Sequence, residues 1–65
     1  MKLVVHKEDD ALYLRLEDSK IVELEEVGDG IILDYNADGK VVGIEIWYVS
    51  QRSPNLLNQI LLETT

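Results

Sequence analysis

The chain has 65 residues, no cysteine, and a net charge of −7 from 13 acidic and 6 basic side chains. That length allows a single domain, and a lack of cysteine excludes disulfides and thiolate metal sites and fits a reducing compartment. The acidic balance disfavours binding to nucleic acid or anionic membranes and favours a basic partner or plain solubility. No apolar run approaches the ~20 residues that cross a bilayer, and the segment MKLVVHKEDD lacks the length and cleavage site of a signal peptide. A cytoplasmic protein is therefore expected.

Leu3 and Val5 alternate with Lys2, Val4 and His6 and predict a first strand, closed by a charged turn over 7–10. Leu12, Leu14 and Leu16 then alternate with Tyr13 and Arg15 in a second strand. After a turn at 17–20, residues 21–27 read as a third strand with Glu23 and Glu25 on one face. Gly28-Asp29-Gly30 marks a reversal, and its loop can be counted as two or three residues, so the register of the third strand on the fourth stays open. Residues 31–35 and 41–49 are rich in β-branched and aromatic side chains and predict the strongest strands.

The chain ends differently. Ser53-Pro54 is a helix start, with an N-cap and a proline at the first helical position. Leu56, Leu57, Ile60 and Leu61 follow at helical spacing. The expected architecture is α+β: one domain over 1–65, an antiparallel β-meander of four to five strands over about 2–49, and one C-terminal helix over about 54–62.

The segment DYNADGKVVGIE at 34–45 fits the calcium-loop pattern D-x-[DN]-x-[DN]-G-x5-E. It fits a β-hairpin better, because neither flank is helical in character. With Ala37-Asp38-Gly39 as the loop, Asn36 faces Lys40, Tyr35 faces Val41, Asp34 faces Val42, Leu33 faces Gly43 and Ile32 faces Ile44. This count puts Asp34 with Ile32, Val42, Ile44, Ile46 and Tyr48 on one face. It puts Glu45 with Ile31, Leu33, Tyr35, Val41 and Trp47 on the other. Glu45 would lie roughly 15–20 Å from the turn at ~3.3 Å per residue, too far to share an ion with it. Asn36, Asp38 and Gly39 then serve as turn residues.

Both faces of that hairpin are largely apolar, which calls for two covers. The helix supplies one, and self-association through Tyr35, Val41 and Trp47 is the expected second. Asp34 and Glu45 are the polar strand residues left without a role. Lone His6 has no cysteine partner, and Ser19, Ser50 and Ser53 sit in turns or beside the helix start. No nucleophile–base pair is indicated, so no catalytic, cofactor or metal residues are assigned.

DDALYLRL at 9–16, EEVGDGIILDYNADGKVVGIEI at 25–46 and Ser50 resemble the family called domain of unknown function 2283. Two departures are His6-Lys7-Glu8 in the first turn and the leucine-rich end from Leu56 to Leu62. The resemblance implies a small prokaryotic protein with no established activity and no assigned catalytic residues. It also implies an antitoxin-like role beside a toxin partner. The sequence reading is a non-enzymatic, homodimeric interaction module. The alternatives are an antitoxin-like partner of a basic protein and a weak divalent-cation binder at the Asp34–Gly39 turn.

Overall fold

A computed structural model describes residues 1–52. Five strands form one antiparallel sheet: β1 (Lys2–His6), β2 (Ala11–Arg15), β3 (Glu23–Gly28), β4 (Ile31–Tyr35) and β5 (Val41–Ile46). A 3-10 turn (Lys7–Asp9) joins the first two, and a short helix, α1 (Val49–Arg52), follows β5. The α+β class is thus the observed one. The expected helix over 54–62 lies outside the described residues.

The strand order is β1-β2-β5-β4-β3, which departs from a plain meander. β5 returns to the centre between β2 and β4, and β2 to β5 take a Greek-key order. The reason lies in the segment after β2, expected as a tight turn. Leu16 N–H donates to Val42 O at 2.8 Å, and Val22 N–H donates to Tyr35 O at 2.9 Å. The connection therefore runs past the ends of β5 and β4 to the far edge. Arg15 holds it down, donating from Nε to Glu17 O at 2.8 Å and from Nη2 to Ser19 O. Lys40 Nζ meets Glu17 Oε2 at 2.9 Å and ties the same loop to the β4–β5 turn. Arg15 consequently opposes Gly43 on β5, with β3 two strands further away.

Two register shifts sort the sheet into faces. On the β4–β5 ladder Tyr35 opposes Val41 as expected, but Asp34 opposes Gly43, Leu33 opposes Ile44 and Ile32 opposes Glu45. Val42 is the extra residue of a β-bulge. The expected pairing of Asp34 with Val42 is therefore corrected by one residue, and every side chain beyond it changes face. One face now carries Leu3 and Val5, Leu12 and Leu14, Ile44 and Ile46, and Ile31 and Leu33. The other carries Val4, Tyr13, Arg15, Gly43, Glu45, Ile32 and Asp34.

A second bulge at Val27 settles the third strand: Glu26 opposes Ile32 and Gly28 opposes Ile31. Glu23 and Glu25 oppose Tyr35 and Leu33 at the margin of the apolar face, and Leu24 opposes Asp34. The buried apolar side chains among the described residues are Ala11, Leu12, Val42 and Val49, of which Val42 and Val49 are fully removed from water.

Candidate functional site

Asp34 is the buried charged residue of the described chain, 5 % exposed. It sits on β4 with Gly43 of β5 directly opposite, and Gly43 is in turn opposite Arg15 of β2. Gly43 carries no side chain, so groups from the two flanking strands meet above it. Tyr13 Oη donates to Asp34 Oδ2 at 2.8 Å, and Arg15 Nη1 donates to Tyr13 Oη at 3.3 Å. A Cβ on Gly43 would stand 2.4 Å from Tyr13 Oη and 2.7 Å from Asp34 Oδ2. Space explains this glycine. Burial raises the Tyr13 phenol above its ordinary value; the Asp34 carboxylate adds to that, and the Arg15 hydrogen bond opposes it. The Arg15 guanidinium is also raised, first by its bond to Tyr13.

The second built feature is the elbow between β5 and α1. Asp10 adopts a left-handed conformation at φ 53°, which Asp tolerates better than most residues. Its carbonyl accepts from Val49 N–H at 3.1 Å. Its carboxylate accepts from Ser50 N–H at 3.0 Å and from Ser50 Oγ at 2.7 Å. Asp10 thus caps α1 at Ser50, 40 residues further along the chain. On the other flank, Trp47 N–H donates to Gly30 O at 2.8 Å. Arg52 donates to Trp47 O at 2.8 Å and to Asp29 O. Gly30 has φ +73°, and a Cβ there would lie 3.0 Å from the Tyr48 ring and from Arg52 Nη2. The elbow is locked to the turns on both sides.

The calcium-loop segment is a strand, a turn and a strand. Asn36 Oδ1 accepts from Asp38 N–H and Lys40 N–H, both at 3.0 Å, and Gly39 takes φ +78°. Asn36 is spent on the turn and Asp34 on Tyr13. Asp34 and Glu45 lie on the same face, and the expectation of opposite faces is corrected by the Val42 bulge. Among the described residues no three His, Asp or Glu side chains group closely enough to hold an ion.

The three residues expected at an interface do not form one patch. Tyr35 and Val41 oppose each other at the hairpin end, whereas Trp47 lies past the other end of β5. All three are half-buried. Burial raises the Tyr35 phenol, with Glu25 and Glu23 adding to it. The two described serine hydroxyls, Ser19 and Ser50, donate to carboxylates. A hollow of about 370 Å³ is lined by the consecutive residues Val5 to Asp9 and lies apart from the Tyr13–Asp34 pair.

Tyr13 as the partner of Asp34 was not read from the sequence; a glycine inside a strand, which marks a bulge or a close approach, was the available signal. Asp10 was likewise missed, although Asp10 and Ser50 both lie among the residues that carry the family resemblance.

These elements define a small α+β domain: one antiparallel sheet, pinned across its centre by a Tyr–Asp–Arg cluster, with a helix capped from the first turn. The chain matches the family described as protein of unknown function (DUF2283) over residues 2–50, and it belongs to that family. No curated protein and no solved structure matches it. No helix among the described residues is long and apolar enough to cross a membrane.

Proposed function

We propose that this protein is a non-enzymatic interaction module that works as a homodimer. The observation that carries the reading is an imbalance in burial. Among the described residues the buried apolar side chains are three small or medium ones, Ala11, Val42 and Val49, and a single leucine, Leu12. Leu3, Leu16, Val22, Leu24, Val27 and Tyr48 are exposed. A sheet with so small a core among the described residues gains most from a partner subunit, since the chain has no cysteine for a disulfide. The polar groups support a structural use: Asp34, Asp10 and Ser50 each hold backbone or another side chain in place. Sedimentation equilibrium from low micromolar to millimolar concentration tests the reading. A dimer mass is expected, and a monomer throughout would refute it.

A second reading rests on β3. This outer strand mixes exposed Leu24 and Val27 with Glu23, Glu25 and Glu26, exposed Val22 precedes it, and Leu24 is 65 % exposed. An acidic, half-apolar edge suits β-augmentation by a basic strand, the antitoxin-like alternative. A peptide alternating lysine and valine should perturb the β3 amide resonances in a salt-sensitive way. Its acidic counterpart should leave them unmoved. Equal responses to the two peptides would count against this reading. The cation reading has less support, because Asn36 and Asp34 are already engaged.

A further inference from the structure

A sheet ordered β1-β2-β5-β4-β3 has two outer strands, and they differ in how each would meet its own copy. A closed dimer uses the same surface on both subunits. In each central register, antiparallel pairing of β3 with a second β3 would bring at least one of Glu23, Glu25 and Glu26 directly against a glutamate of the copy, and like charges directly opposed destabilise a ladder. The Val27 bulge distorts that edge further. Acid residues and a bulge are common means of keeping an edge from pairing with itself.

β1 has neither device. Its centre is Leu3-Val4-Val5, with one lysine at the start and His6 at the end. Leu3 and Val5 lie on the apolar face, opposite Leu14 and Leu12, and Leu3 is 41 % exposed. Val4 lies on the other face, opposite Tyr13.

We infer that a second copy of this chain docks along β1, antiparallel, with the twofold axis at Val4. The inference rests on the self-association reading above and names its surface. In this arrangement Val4 faces Val4 of the second copy, Leu3 faces Val5, and Lys2 faces His6, so lysine never meets lysine. The apolar face then runs unbroken through both copies, and the exposed side of Leu3 gains a neighbour. Pairing β1 with β3 of a second copy would join opposite charges, but it is a head-to-tail contact that builds rings or open chains in place of a closed dimer.

The chain has no cysteine, so Val4→Cys introduces a single thiol. Directly opposed Cβ atoms stand ~4.5–5.5 Å apart, close to disulfide reach. Under mild oxidation V4C should form a covalent dimer, while L24C, on the more exposed outer strand, should not. Val4→Glu and Val4→Lys should each be monomeric, and their equimolar mixture should dimerise again. Circular dichroism checks that each variant is folded, and the V4C result stands even where a charged variant is not. A monomeric parent protein would overturn this inference together with the self-association reading. A dimer that V4E leaves intact and V4C does not cross-link would overturn the β1 assignment alone. So would equal cross-linking of L24C, or assemblies that outgrow a dimer and dissolve in salt.

Discussion

Gly43→Ala is the most discriminating substitution in the sheet, because two physical arguments give it opposite signs. Judged by backbone entropy alone, alanine inside a strand should stabilise by about 0.5–1 kcal/mol relative to glycine. The structure predicts a loss. The new Cβ would stand 2.4 Å from Tyr13 Oη, 2.7 Å from Asp34 Oδ2 and 3.1 Å from Tyr13 Cζ, against an ordinary carbon contact of about 3.5–4 Å. The phenol must move by about 1 Å to restore such a contact, which breaks its 2.8 Å bond to Asp34. Overpacking costs about 1–3 kcal/mol. A buried carboxylate deprived of its donor adds about 1–3 kcal/mol. A net loss of about 3 kcal/mol is expected once the two are partly shared. A 65-residue domain holds only about 3–10 kcal/mol in total.

Urea denaturation measures this directly. With a slope of about 1 kcal/mol per molar for so small a domain, the midpoint should fall by about 3 M. Tyr13→Phe supplies the control. It removes the hydroxyl that clashes and costs about 1–2 kcal/mol by itself, for the hydrogen bond lost to Asp34. In the Y13F background G43A should cost at least about 1 kcal/mol less than in the parent. A neutral or stabilising G43A, or additivity within about 0.5 kcal/mol, would refute the account of Gly43 as the space that the Tyr13–Asp34 pair occupies.

Three further outcomes are expected. Asp10→Ala should lower thermal stability by about 1–2 kcal/mol through loss of the cap on Ser50, with Ser50→Ala costing less because the backbone bond survives; equal thermal shifts for the two would contradict this. Because Tyr13 and Tyr35 titrate above the ordinary tyrosine value of 10.0, the folded state holds those protons longer than the unfolded chain. Their contribution is complete below that value and is lost as pH rises through the folded values. Alkaline unfolding followed by circular dichroism should therefore be blunted in the Y13F/Y35F double variant. Calcium at millimolar concentration should leave the melting temperature unchanged, and a rise abolished by Asn36→Ala would restore the cation reading.

Much of the sheet was legible because alternation of apolar residues is a strong signal. β1, β2, β4 and β5 begin where Leu3/Val5, Leu12/Leu14 and the two β-branched runs placed them, but β5 ends at Ile46, short of the expected 49, because Val49 starts α1, and the expected strand over 21–27 is Glu23–Gly28. The hairpin tip was legible as well: Asn36 N–H bonds Lys40 O, and Tyr35 opposes Val41. What failed was counting beyond the tip, because pairing arithmetic assumes a regular ladder and Val42 is an extra residue. Strand order failed for a different reason. The polar segment after β2 has the composition of a turn, and nothing local shows that Arg15 and Glu17 anchor it across the ends of other strands. The Tyr13–Asp34 bond depends on both features and was therefore the least legible part.

The bulge itself has a physical rationale. In the regular register Asp34 would share a face with Ile44 and Ile46, while Ile31 and Leu33 would join Glu45. A buried carboxylate would then face an apolar layer with no donor, a cost of several kcal/mol. One extra residue at Val42 reverses this from Gly43 onward. Ile31, Leu33, Ile44 and Ile46 join the Leu12 and Leu14 stripe, and Asp34 moves beside Tyr13 over the one residue on β5 that has no side chain. The same segregation makes the apolar face continuous as far as Leu3 on β1. It leaves Glu23 and Glu25 as charged guards at the β3 margin of that face. Among the described residues the apolar layer ends in Leu3 and Val5 at one outer strand and in Glu23 and Glu25 at the other, which is the arrangement that the proposed pairing through β1 requires.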